Sequence, residues 1–261
     1  MKNLDAYKLK WIAIIGMILN HMVITWWEII PTGLALPMNA AGGLTFPIMA
    51  YFVVEGYRHT SNLKRYILRL LMFGLIALPF HILALSIPLG GGNPLIYPLL
   101  NILFTIIFSL LVLVIYDKMK SRVLFWILYV ILIFPISNLF EWQFIGVTMV
   151  LMYHIIRNEK ARRIVPPIFA GVLNLGFALL AIVAMSFMPY VEGAPQTLAT
   201  NVDFLRIMPS FIIGVIAAAV LLYNYNGERG KRMKYLFYVI YPVHLAVLAG
   251  VGLALGIISF G

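Results

Sequence analysis

Apolar runs, cut by short basic loops, constrain this chain more than any other feature. A helix needs roughly 20 apolar residues, rising about 1.5 Å each, to cross a hydrocarbon core. Runs of this kind occupy 11–30, 40–57, 66–87, 96–116, 123–139, 142–156, 164–188, 205–225 and 235–258. The fifth and sixth are short and meet near Asn138 to Trp142, so they read either as a tight hairpin or as one broken element. Gly90–Pro94 and Gly193–Pro195 mark loops. With 63% hydrophobic and 11% charged residues, the chain cannot cover itself with a water-facing surface, so lipid must be the solvent for most of it. The first run follows Lys8 and Lys10, as in a signal peptide, but it is too long for a signal core and no small-x-small cleavage site closes it. It is expected to be a retained helix. The predicted fold is therefore all-α: a polytopic transmembrane bundle of about nine spans forming one domain over residues 1–261, without a soluble domain, long linker or repeat.

Charge gives the orientation. Of 19 lysines and arginines, all but Arg206 fall in the N-terminal tail or in the loop regions around 58–65, 117–122, 157–163 and 226–234. With nine spans these segments share one side, and the positive-inside rule makes that side cytoplasmic. A miscount of one helix before residue 157 would scramble the bias, so the bias supports the count as well. The net charge of +10 is thus explained by topology and anionic lipid, and no aromatic-basic pattern points to nucleic acid. The largest external loop, 189–204, carries Glu192 and Asp203 and is a candidate cover or entry for a substrate.

The absence of cysteine excludes disulfides, thiolate metal sites and a cysteine nucleophile. No metal-ligand spacing, phosphate loop, dinucleotide fingerprint or nucleophile elbow is present. Function is therefore sought among the polar residues that the membrane makes costly. His21 lies about 15 Å from the cytoplasmic edge and His244 about 14 Å, so the first and last spans each bring an imidazole near the midplane. Asn20 precedes His21; it reads equally as interhelical glue or as a second wall of one cavity. Glu55 stands three residues before Arg58 and four before His59, which suits a local ion pair or a carboxylate facing the cavity and orienting a histidine or an amine. Arg65 and Arg69 share a helix face beside Lys64. They read first as topology anchors, and otherwise as a phosphate clamp, since guanidinium forks match phosphate oxygens. Asn101, Thr105 and Ser109 form a polar stripe better suited to packing than to a tunnel lining. His81, after Pro79, is divided between an external vestibule and packing, and His59 and His154 sit at the wet edge.

Two segments then carry a resemblance. Leu9-Lys10-Trp11-Ile12-Ala13-Ile14-Ile15-Gly16-Met17-Ile18-Leu19-Asn20-His21 and Phe46-Pro47-Ile48-Met49-Ala50-Tyr51-Phe52-Val53-Val54-Glu55-Gly56-Tyr57 resemble the TraX family. So do His59-Thr60-Ser61-Asn62, Arg65-Tyr66, Arg69-Leu70, Asn101 to Thr105, and Lys234 to Leu245 with its Tyr241-Pro242-Val243-His244 core. Residues 123–230 match weakly. The family is named for a conjugation protein that acetylates the N-terminus of pilin, and it resembles the wider class of transmembrane acyltransferases. Where the family usually has Asp-His, this chain has Asn20-His21.

The resemblance implies a multi-pass protein of the bacterial inner membrane that moves acetyl from cytoplasmic acetyl-CoA to an amine or hydroxyl, without a metal. Arg58, Lys64, Arg65 and Arg69 would hold the phosphates of acetyl-CoA. His21 would be the base, Asn20 would orient it or bond the thioester oxygen, Glu55 would supply charge, and His244 would be a proton partner. The acceptor could be a protein N-terminus, a glycan or a lipid, and small-residue faces leave a homodimer open. A transporter or flippase ranks second, because paired halves are missing. A scaffold for an envelope machine ranks third.

Overall fold

The computed structural model describes residues 3–27, 29–87, 100–187, 202–231 and 236–258. The predicted loops at 90–94 and 193–195, Glu192, Lys2, Arg232 and Lys234 lie outside the described residues. Among the described residues the chain is helical throughout, with two isolated bridges, Leu4 to Tyr225 and Leu100 to Phe140, in place of strands.

The helices are α1 (Ala6–Thr25), α2 (Thr32–Gly43), α3 (Thr45–His59), α4 (Leu63–His81, continuing through a π-helical turn Ile82–Ser86) and α5 (Ile102–Lys118). They are followed by α6 (Arg122–Leu128, then a π turn Tyr129–Ile133 and Phe134–Ser137), α7 (Gln143–Ile155), α8 (Glu159–Phe187), α9 (Val202–Tyr223) and α10 (Leu236–Ala254). Each predicted apolar run falls on helix among the described residues, the run 40–57 being shared between α2 and α3. Five stretches are long and apolar enough to cross a bilayer: Ala6–Thr25, Thr32–His59, Leu63–Ser86, Glu159–Val183 and Leu236–Ala254. Large apolar side chains such as Leu68, Leu75, Val130, Ile131, Leu180 and Val220 cover the outside, as expected of a surface solvated by lipid rather than water. This is a membrane protein.

Local sequence explains the breaks. Asp5, Asn62, Asn101 and Ser121 each accept a backbone N–H at the start of α1, α4, α5 and α6, satisfying donors that a helix cannot pair itself. The second run is longer than predicted and breaks at Leu44, where Thr45 Oγ1 donates to the Ala13 carbonyl of α1 at 3.0 Å. The uncertain pair at 123–156 is two helices joined by a turn over 138–142. At 13 residues, α7 is only about 20 Å long, short of the hydrocarbon thickness. The turn is closed by Trp142 and Gln143, both at positive φ (66° and 44°), conformations that side chains other than glycine's rarely adopt. The Glu141 N–H bonds to the Leu100 carbonyl at 2.9 Å, and Thr105 Oγ1 donates to the Glu141 carbonyl, which holds the turn against α5.

Helix α2 is packed between α1 and α9 at backbone contact. A Cβ on Gly16 would lie 2.2 Å from the Ala41 carbonyl oxygen, and one on Gly214 1.9 Å from that of Ala40. Lipid gives no hydrophobic drive for helices to associate, so close backbone approach through small residues is what holds this layer. Asn39, buried in α2, extends it by donating to the Ile207 carbonyl of α9 at 3.1 Å.

One end of the bundle collects the N-terminal segment and the basic loops. Asn226 N–H bonds to the Leu4 carbonyl and Ala6 N–H to that of Glu228. Tyr57 and His154 both meet Asp117, at 2.7 and 2.8 Å, which ties the ends of α3, α5 and α7 together. Arg162 and Arg163, counted among the basic loop charges that set topology, are both buried. Arg162 bonds Glu55 at 2.8 Å and Tyr51 at 2.9 Å, while Arg163 bonds Glu159 at 2.9 Å and the Tyr225 carbonyl at 2.7 Å. They clamp the start of α8 to α3 and to the loop after α9.

Candidate functional site

Helices α1, α3, α4 and α10 diverge around a cavity of about 1030 Å³ that runs from the end carrying the basic loops to the interior. Its outer part is edged by Lys10, Glu55, Arg65, Arg69, Arg229 and Lys231. Its wall is largely aromatic, with Phe46, Phe52, Tyr66, Phe211 and Phe237, and its inner part reaches Asn20, His21, Glu141 and Trp142.

The histidines of the first and last spans meet. His21 Nδ1 and His244 Nε2 are 2.8 Å apart, with the ring planes within 18° of parallel and the centroids 5.0 Å apart. Hydrogen-bond accounting fixes both tautomers. His244 Nδ1 lies 2.9 Å from the Ile240 carbonyl, one helical turn back, and must donate to it. In the neutral ring its Nε2 is then an acceptor, so His21 Nδ1 carries the hydrogen between the rings. This leaves His21 Nε2 with its lone pair open, and among the described residues no partner takes it. His21 is 5% exposed, so this edge meets the cavity through a narrow opening. His244 is not itself a wall of the cavity: it stands behind His21 and orients it.

Asn20 serves the packing. Its Nδ2 donates to Asn39 Oδ1 at 2.7 Å, and its Cβ rests where a Cβ on Gly42 would otherwise stand. It also lines the cavity, but the group that orients His21 is His244. Glu55 lines the mouth, and its strong partner is the non-local Arg162 at 2.8 Å, with Arg58 only at 3.9 Å. The His59 ring bonds the backbone carbonyl of Glu55, not its carboxylate.

The four cations expected to act together separate into two pairs. Arg65 and Arg69 line the cavity, and Arg69 Nε is buried without a hydrogen-bond partner. Arg58 turns away to the Tyr153 and His154 carbonyls at the end of α7, and Lys64 is exposed outside the cavity. Arg65 and Arg69 share a face of α4 from which Lys64 is turned by about 100°, and Arg58 belongs to α3. Lys10, Arg229 and Lys231 take their place at the mouth, and the sequence reading had counted these only as topology charges. Tyr225, outside the helices and also on the cavity, stays a neutral phenol: burial, with Tyr51 and Glu55 nearby, pushes it up to about 12.

Glu141 escaped the sequence reading because a lone carboxylate between two apolar runs looks like a loop residue. It is 9% exposed, and Oε2 accepts the Ile102 N–H at 3.0 Å at the start of α5 and lies 3.9 Å from His81 Nδ1. His81 is fully buried, so it does not face an external vestibule. Asn101, Thr105 and Ser109 are buried and bonded to backbone carbonyls, which makes the stripe packing rather than lining. Among the described residues, no group of three or more histidines or carboxylates could hold a metal ion.

No solved structure matches this chain. Among curated proteins, it is 29% identical over 263 residues to a probable fimbrial assembly protein FimC of serogroup H1 from Dichelobacter nodosus, covering 95% of this chain and 96% of that one. The sequence profile described as TraX protein matches residues 6–252, nearly the whole bundle including both histidines and the cavity walls, and the chain therefore belongs to the TraX family.

Proposed function

We propose that this protein is an acyltransferase of the bacterial plasma membrane that moves acetyl from cytoplasmic acetyl-CoA to an amine or hydroxyl acceptor. The observation that carries the reading is the continuity of one cavity from Arg65 and Arg69, whose side chains have no hydrogen bond among the described residues, to an imidazole whose tautomer is fixed with Nε2 open. The phosphates of the donor sit against Arg65 and Arg69, with Lys10, Arg229 and Lys231 adding positive field. The extended pantetheine arm lies along the aromatic wall and brings the thioester to His21.

The acceptor nitrogen or oxygen attacks the thioester carbon, and its proton passes to His21 Nε2. The carbon–sulfur bond breaks, and the departing thiolate takes the proton back from the imidazolium. His244 accepts from Nδ1–H throughout, which keeps the ring aimed and supports its positive charge as it forms. An N–H of Asn20 not used on Asn39 is the nearest candidate to bond the developing oxyanion. The D. nodosus relative is named for fimbrial assembly, and a subunit destined for a surface fibre is the acceptor this favours.

The test uses the purified protein in proteoliposomes with labelled acetyl-CoA and a membrane extract as the acceptor pool. His21→Ala is expected to keep acetyl-CoA binding and lose transfer. Wild-type protein that binds no acetyl-CoA, or full transfer by the variant, refutes the proposal.

A further inference from the structure

The cavity has opposite electrostatic ends. Its mouth is cationic, whereas the carboxylate at its inner end is Glu141, since Glu55 is held at the mouth by Arg162. Among the described residues Glu141 is engaged through Oε2 alone, which takes the Ile102 N–H at 3.0 Å and lies 3.9 Å from His81 Nδ1, and no hydrogen bond from them reaches Oε1. A nine-tenths-buried carboxylate with an idle oxygen is costly unless something pairs with it. Burial pushes its pKa up to about 7 against the pull of the Ile102 N–H at the start of α5, so a cationic partner is what would restore its full charge. The turn that presents it is held by the bonds from Leu100 and Thr105, and the neighbouring Trp142 stacks on Phe46 at 4.6 Å across the wall. The carboxylate is thus fixed in place beside a flat aromatic surface.

We infer that Glu141 is the residue that binds and positions the acceptor, taking its protonated amine on Oε1; the ammonium then gives one proton to this carboxylate, and the neutral amine attacks and passes a second proton to His21 Nε2. The inference rests on the acyltransferase reading for the word acceptor, but the site itself is a cation subsite that needs no acyl donor. It makes Glu141 a specificity-determining residue. An ammonium forms an ion pair here, whereas a hydroxyl in the same position makes a hydrogen bond from a neutral donor. The donor's anionic end is held at the cationic mouth and repelled by Glu141 at the inner end, so the two ends of the cavity sort the two substrates.

The experiment is calorimetric titration of the purified full-length protein, without acetyl-CoA, with phenylalaninamide and with its hydroxyl counterpart 3-phenyllactamide. Wild type is expected to bind the amine at least about tenfold more tightly than the alcohol, the scale of one bond to a charged group. Glu141→Gln keeps an oxygen for the Ile102 N–H and removes the charge, and it is expected to erase that preference. If Glu141 is only a cap for α5, Glu141→Gln leaves amine affinity unchanged, and that outcome overturns the inference. So does equal affinity of the wild type for the two compounds, which decides the matter even if the variant does not fold. Failure of acetyl transfer with this preference intact would count against the acyltransferase reading alone.

Discussion

Replacing His244 with phenylalanine isolates the effect of the imidazole pair. The ring volume is nearly kept, and the lost atom is the Nε2 that accepts from His21 Nδ1–H at 2.8 Å. In a buried aqueous-protein setting, leaving that donor unpaired costs about 1–3 kcal/mol. Between membrane helices, measured bonds average nearer about 0.6 kcal/mol, because the unfolded state in lipid also finds partners. Both residues here are under a tenth exposed and the carbonyl behind His244 is fixed, so the membrane average is exceeded and the middle of the combined range, about 1–2 kcal/mol, is expected. That energy now biases His21 toward the tautomer with Nε2 open. Its loss lets the other tautomer compete, which alone costs about twofold; with the lost support of the imidazolium formed during transfer, and at 1.4 kcal/mol per factor of ten, the rate should fall about tenfold. Acetyl-CoA affinity should hold, because Arg65 and Arg69 belong to α4. The direct assay is solid-state NMR of ¹⁵N-histidine-labelled protein in lipid. Wild-type His21 should show a protonated Nδ1 and a bare Nε2, and His244→Phe should show a mixture. A wild-type His21 protonated on Nε2 would refute the tautomer argument, whatever the enzyme assay gives.

Other outcomes follow from the same geometry. Arg65→Gln and Arg69→Gln should each weaken acetyl-CoA binding about tenfold by calorimetry, whereas Lys64→Gln, outside the cavity, should leave it unchanged. Gly214→Val should lower the melting temperature and disturb the α2–α9 contact, because its Cβ would lie 1.9 Å from the Ala40 oxygen; overpacking of this kind costs about 1–3 kcal/mol. Arg162→Leu removes the buried partner of Glu55 and Glu159, whose side chains are 28% and 49% exposed, so water limits the loss to about 1–2 kcal/mol rather than the 3–5 of a fully buried pair. Orientation can be read directly in this cysteine-free chain: Ser61→Cys should react with a membrane-impermeant maleimide only from the cytoplasmic face, and labelling from outside would invert the topology.

Hydrophobic periodicity and loop charge alone determined that the chain is a helical membrane bundle, which runs become helices, and that the basic loops share one end. Lipid makes such patterns legible, because each span must satisfy its own backbone and each charge must leave the core. His21 and His244 were singled out for the same reason, as costly groups at one depth. Their contact could not be read, since it depends on which faces of α1 and α10 meet, and the sequence records depth along a helix but not rotation toward a neighbour 223 residues away. The same rotation separated Arg65 and Arg69 from Arg58 and Lys64, and revealed Arg162 as a buried clamp. Only the tertiary structure turned Glu141 inward, because that required the backbone of one short turn, at positive φ on Trp142 and Gln143, to be held against α5 by bonds from residues some 40 positions earlier in the chain.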